Sequence, residues 1–451
     1  MGDFSNTSIM MYKFLMYRSM FIVIFAALLP GACSTVKQGN VVSQPNDAVN
    51  AFSVSRPESD AAEPAVAADA GGNVYVLYVE HNPDKTADLF LQKRKAGDMG
   101  TADSTTRVNP APGTVKAWRG DPPTIAVAKN GTIYAGWTIK AGTGEKAASD
   151  LVISASFDGG QTFGAPVRVN DDTAPASHGM HSLLLDADGR IYAAWLDERN
   201  VKQEPAHEDP KPAAAMMMFH HTKEPAEPNS EVYFSVSSDG GRTFSANKKL
   251  ATEVCPCCKT SMALAPDGRV YVSWRQVLPG GFRHIAVASS TDKGAAFSPG
   301  VVVSDDKWKI DACPVSGASL AVDNKGALVI SWYSAGESQT GTGTATAGLF
   351  AARSEDNGRT FSPRQMIGAD AVSGAPVILA GADGSLTSVF AAKEDKVNVD
   401  TGQLFSMDRR GREPISGASL PSAAMSAGKT YVAFVRADGE KRSVWIAVSG
   451  R

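Results

Sequence analysis

One short pattern recurs seven times along this chain, and no other feature limits its fold so sharply. A glycine opens a β-rich run that closes on an aromatic: Gly72–Tyr78, Gly131–Trp137, Gly189–Trp195, Gly268–Trp274, Gly326–Trp332, Gly384–Phe390 and Gly428–Phe434. Successive glycines are 59, 58, 79, 58, 58 and 44 residues apart. Each run alternates with period two and is rich in Val, Ile, Tyr and Trp, which marks a strand. A short apolar stretch precedes each, such as TIAVA at 124–128 or SLAVD at 319–323, and a tight turn of the Asp-Gly or Asn-Gly kind separates the two. A third strand and usually a fourth follow.

Four strands returning about every 58 residues predict an all-β fold, the four-stranded blades of a β-propeller. A second signature follows the third strand: Ser156-FDGGQT-Phe163, Ser237-SDGGRT-Phe244, Ser290-TDKGAA-Phe297 and Ser354-EDNGRT-Phe361. The pattern Ser-x-Asp-x-Gly-x-Thr-Phe resembles the Asp-box of the sialidase-like (BNR repeat) β-propeller superfamily, and the resemblance covers residues 51–451. In this pattern the Asp and glycine hold a hairpin while the Phe packs between sheets, so these boxes are read as fold staples. The last copy supplies only three strands, and Ala51–Ser55 is placed to add the missing outer one, which closes the ring and removes the open edge. Seven blades is the preferred reading, six the alternative.

The N-terminus is of another kind. Lys13 and Arg18 precede an apolar run, Met20–Leu29, that ends in Pro30-Gly31-Ala32-Cys33. Ten apolar residues fall short of the roughly 20 that a spanning helix needs, so the run reads as an export signal. Small residues before Cys33 resemble a bacterial lipoprotein cleavage site, which would leave Cys33 as the lipidated first residue. Residues 1–33 are therefore read as a signal peptide, 34–50 as a polar tether and 51–451 as the propeller. The expected place is the bacterial cell envelope, lipid-anchored to the outer membrane, with no other contact to a membrane. With 44 basic against 47 acidic residues and a formal charge of −3, the chain lacks the basic surface of a nucleic-acid binder.

The repeat register brings together residues that are far apart in sequence. After Cys33 the cysteines are Cys255, Cys257, Cys258 and Cys313. Cys255 lies 13 residues before Gly268, and Cys313 lies 13 before Gly326. His178 lies 11 before Gly189 and Cys257 lies 11 before Gly268, with His181 close behind His178. These six residues are expected above the innermost strands of three adjacent blades. The 79-residue interval holds a long insertion on the same face, with Met216, Met217, Met218, His220 and His221. Thiolate, thioether and imidazole together suit a soft metal ion, copper first and zinc second. Disulfides are the competing reading in an oxidising compartment, with Cys255–Cys313 the natural staple between neighbouring blades.

The family resemblance also implies a glycoside hydrolase, with an arginine triad, an Asp acid/base and a Tyr–Glu nucleophile. The stretch matching the first arginine reads Ala61-Ala62-Glu63-Pro64, with Ala62 where the arginine belongs, which removes a carboxylate clamp. Weak catalytic candidates at the strand ends are Asp197, Glu198, Arg275, Arg283 and Tyr333. The sequence thus leads to a metal-binding envelope propeller, with an exo-glycosidase or a non-catalytic glycan- or protein-binding propeller as alternatives.

Overall fold

Every regular element that the computed structural model describes is a β-strand. The structure describes residues 50–142, 148–201, 229–310, 314–337, 345–369, 374–392, 396–402 and 409–449, all within one compact unit, Asn46–Arg451. Cys33, the tether up to residue 49, the Met216–His221 insertion and Cys313 lie outside the described residues.

Among the described residues the strands form five four-stranded antiparallel sheets and one of eight. Two four-stranded halves make up the larger sheet, joined by the single pairing of Val254 with Gln276. Each sheet opens with a short inner strand followed by the glycine-to-aromatic strand, as the repeat demands. The inner strands follow one another in a closed circuit: Asp60–Ala68, Thr124–Val127, His178–Leu185, Ser261–Leu264, Ala318–Val322, Val377–Ala380, Ser419–Ser426, and back to Asp60–Ala68. The circuit is closed on the outside by Ala51–Ser53, which pairs with the final strand Lys441–Ser449 through Ala51↔Ala447 and Ser53↔Trp445. Sequence-distant ends thus share one sheet, and Ala51–Ser53 covers part of the edge that Lys441–Ser449 would otherwise present.

Packing between sheets follows from the alternation. Trp137, Trp195, Trp274 and Trp332 occupy the same place in four units and are all buried. Three of the four indoles find an acceptor: Trp195 Nε1 donates to Asp197 (2.8 Å), Trp274 to Gln276 (2.7 Å) and Trp332 to Asp306 (2.7 Å).

The four Ser-x-Asp-x-Gly segments share one hydrogen-bond pattern. In the first, Ser156 Oγ donates to Asp158, Gly160 N donates to Ser156 Oγ, and Thr162 N donates to Asp158. The pattern repeats around Asp239 and Asp356. The same three bonds hold Asp292, but the further bond that a Thr hydroxyl donates to Asp158, Asp239 and Asp356 is missing there, because Ala296 stands where the others have Thr. Gly294 shows why glycine is needed. Its φ is +84°, and a Cβ there would sit 2.4 Å from Phe234 of the preceding unit, onto which Phe297 packs edge-on at 4.8 Å.

Candidate functional site

The cysteine segment leaves strand Lys248–Val254 and turns at once toward the inner strand Ser261–Leu264. Its backbone is clamped at both ends. Cys255 N donates to Arg275 O (2.9 Å), and Thr260 N donates to Met180 O (3.0 Å) of the neighbouring unit. This fixed turn brings three sulfurs together. Cys255 Sγ lies 3.7 Å from Cys257 Sγ and 3.4 Å from Cys258 Sγ, and all three lie within 4.8 Å of one another. Exposures are 1%, 3% and 0% for Cys255, Cys257 and Cys258. Cys255 and Cys258 are free thiols, whereas Cys257 is disulfide-bonded. The expected Cys255–Cys313 staple is therefore corrected, because Cys255 keeps its thiol.

Arg275 sits behind this cluster rather than in an open mouth. It is fully buried, donates through Nε and Nη2 to Ser316 O (3.1 and 2.8 Å) and through Nη2 to Tyr333 O (3.0 Å). Its guanidinium stands 4.9 Å from the centre of the Trp308 ring. Nη1 has no hydrogen-bond partner among the described residues. Burial by itself would push the Cys258 thiol up. The hydrogen bond with Cys255 and the charge of Arg275 overcome that and bring it down to about 6. The same hydrogen bond, followed by burial, holds the Cys255 thiol well above its ordinary range. The two thiols are thus pushed in opposite directions, Cys258 toward the thiolate and Cys255 toward keeping its proton.

Two cavities flank the segment. One, of about 480 Å³, lies among the inner strands and is lined by Glu63, Thr124, Ser182, Lys259, Ser319 and Ser422. Lys259 donates to Pro122 O (2.8 Å), and burial lowers its ammonium to about 8. The other, of about 840 Å³, is bounded by Cys257, His178, Met180, Trp118, Glu198 and Arg199. Cys257 is the cysteine that reaches this space.

The other expected ligands stand apart from the sulfurs. His178 Nδ1 contacts Ser149 O at 2.6 Å, and Nε2 faces Asp172 (3.1 Å) and Asp197 (3.4 Å). His181 Nδ1 is 3.1 Å from Asp121. Neither belongs to the three-sulfur group. Between them in sequence, however, Met180 does pack into the apolar cluster that holds the three cysteines. The sequence reading missed it; its signal was the single methionine of His-Gly-Met-His, set in register with the cysteine turn.

The catalytic candidates scatter. Asp197 is fully buried between Trp195 and Arg199, and Glu198 lines the larger cavity. Tyr333 packs edge-on against Trp308 at 5.7 Å. Arg283 Nε and Nη1 are buried without a hydrogen-bond partner among the described residues. Ala62, where a sialidase-type arginine would stand, is buried in the first inner strand.

No family model matches the chain, and no curated protein matches it in sequence. Solved structures do. The polysaccharide lyase Uly1 is 12% identical over 92% of this chain and 94% of its own, with a TM-score of 0.54. The α-L-arabinanase of Penicillium chrysogenum, solved with arabinobiose, is 11% identical over 90% of this chain and 99% of its own, with a TM-score of 0.50. The NanB sialidase of Streptococcus pneumoniae matches at 11% identity over 84% of this chain and 83% of its own, with a TM-score of 0.47. The chain shares the β-propeller fold of the lyase and the arabinanase. In this propeller the likeness is one of fold, while the cysteine cluster is read from the chain's own residues.

Proposed function

We propose that this propeller binds a soft metal ion, copper first and zinc second, through the sulfurs of Cys255, Cys257 and Cys258. The single observation that carries the reading is the convergence of three buried sulfurs within 4.8 Å. Ligands at about 2.3 Å in tetrahedral array lie about 3.8 Å apart, and the Cys255–Cys257 separation is 3.7 Å. The lowered Cys258 thiol yields its proton to an ion more readily. Met180 adds a thioether to the same apolar surroundings, a donor that favours copper(I). Within this reading the ring has seven blades with Asp-box turns. His178 and His181, held by Asp172, Asp197 and Asp121, stay outside the ligand set. The signal peptide and Cys33 place the protein in the cell envelope, where metal traffic is its task. The test is copper and zinc stoichiometry of the full chain against a Cys255→Ser/Cys258→Ser double variant. Equal binding by both would refute the assignment.

A second reading has its own support. The solved neighbours act on glycans, and Trp118, 42% exposed, stands with Glu198 at the 840 Å³ cavity. An aromatic face beside a carboxylate suits a sugar ring. Turnover of a panel of aryl glycosides and uronate-containing polysaccharides, abolished in Glu198→Gln, would favour a glycan-active enzyme. Binding without turnover would make it a glycan-binding propeller.

A further inference from the structure

Two features of the cluster are not used by a simple three-cysteine metal site. Cys257 is tied up in a disulfide while its two neighbours are free thiols. Its sulfur lies 3.7 Å from the sulfur of Cys255, close enough to share an ion, yet a disulfide sulfur carries no thiolate charge for a metal. The second feature is the surrounding charge. Arg275 and Arg283 both act on Cys255, and each has buried guanidinium nitrogens without a hydrogen-bond partner among the described residues. An ion bound by Cys255 and Cys258 alone must take both as thiolates; against two guanidiniums these make a neutral set, and the buried cation added to it would be left uncompensated. A third thiolate changes the sum to one negative charge, which one monovalent cation restores to zero.

We propose that the cluster is a redox-gated site for a monovalent soft metal ion, closed while Cys257 is held in its disulfide and opened when that disulfide is reduced. The proposal rests on the metal-binding reading and adds its regulation and the charge of its ion. Access is already built. Cys257, alone of the three, borders the 840 Å³ cavity, so a small thiol compound can reach the bond that must break. The first thiolate attacks the Cys257 sulfur, forming a mixed disulfide and releasing the partner cysteine as a thiolate. A second thiol attacks the outer sulfur and releases Cys257 as a thiolate. Two external thiols are oxidised to one disulfide, and one protein disulfide is reduced by the same two electrons. The three thiolates then close on the ion.

The experiment compares the full chain in two states, as isolated with its disulfide and after reduction by a phosphine followed by anaerobic desalting. Copper(I) is titrated into each in competition with a chromogenic copper(I) chelator, and near-ultraviolet circular dichroism records whether the fold persists. Reduction should tighten copper(I) binding by at least roughly 100-fold, the upper end of what losing an outer-shell partner costs a metal site. Zinc should gain less. The Cys257→Ser variant should show no response to reductant. Should that variant fail to fold, Cys258→Ser keeps the disulfide and should lose the gain on reduction. Equal copper affinity in the two states, or tighter binding by the disulfide form, overturns the gate while leaving the metal site standing. Absence of binding in both overturns the metal reading itself. Loss of the near-ultraviolet signal on reduction would make the disulfide a structural staple and likewise overturn the gate.

Discussion

The sulfur of Cys258 lies 3.4 Å from that of Cys255, and the buried guanidinium of Arg275 acts on both. That arrangement pushes two chemically equal thiols apart, lowering Cys258 and raising Cys255. Arg275→Met should therefore raise the pH at which Cys258 ionises well above about 6, read as the midpoint of the ultraviolet thiolate absorbance. Arg275→Lys should hold part of the shift. A midpoint that does not move in Arg275→Met would mean that the neighbouring thiol alone sets it.

Acid should act on the Ser-x-Asp-x-Gly turns. The Thr360 hydroxyl and amide hold the Asp356 carboxyl down to about 2, and the equivalent bonds depress Asp158 and Asp239. Each of these groups is less acidic in the unfolded chain, so its stabilisation is complete above about pH 4 and is lost as pH falls toward 2. The urea midpoint should fall across that window. Asp239→Asn should flatten the fall, and an unchanged profile in that variant would remove the turns as its cause.

Closure of the ring is testable by truncation. A chain beginning at Arg56 loses the Ala51–Ser53 pairing with Lys441–Ser449 and the buried side chain of Val54. Burial of that one side chain is worth about 1.5–3 kcal/mol, and the bared edge invites association. Relative to a chain beginning at Asn46, the shorter one should unfold at lower urea and sediment as larger species. Equal midpoints would show that the last sheet is stable with three strands.

The buried tryptophans should differ among themselves. Trp332→Phe takes the indole donor from Oδ2 of the buried Asp306, while Arg364 and Ser304 still hold Oδ1, at about 1–3 kcal/mol for a buried acceptor left unpaired. Trp137 Nε1 has no acceptor among the described residues, so Trp137→Phe should cost less. Denaturation midpoints that rank the two variants in the opposite order would contradict this account of the indole bonds.

Much of the architecture was legible because each repeat carries its own strand pattern and turn chemistry. Equal spacing made Gly131, Gly268 and Gly326 equivalent before any contact was seen, and the pairing of Ala51–Ser53 with the final strand follows from a three-stranded last copy. Register also brought Cys255, Cys257 and Cys258 to one neighbourhood with the His178–His181 segment. It could not say which side chain of that segment joins the apolar cluster that holds the cysteines. Met180, with φ at +52° in the irregular stretch of its strand, takes that place, while carboxylates engage His178 and His181. Nor could spacing show that Arg275, one residue beyond Trp274, is buried behind the thiols, because that depends on the Ser316 and Tyr333 carbonyls contributed by the next unit.

X-ray absorption spectroscopy of the copper-loaded, reduced full chain tests the central claim most directly. The account predicts a first shell made of sulfur alone at about 2.3 Å, unchanged in a His178→Gln/His181→Gln variant and lost in Cys255→Ser/Cys258→Ser. A shell of nitrogen or oxygen scatterers, or a protein that retains no copper to measure, would contradict it.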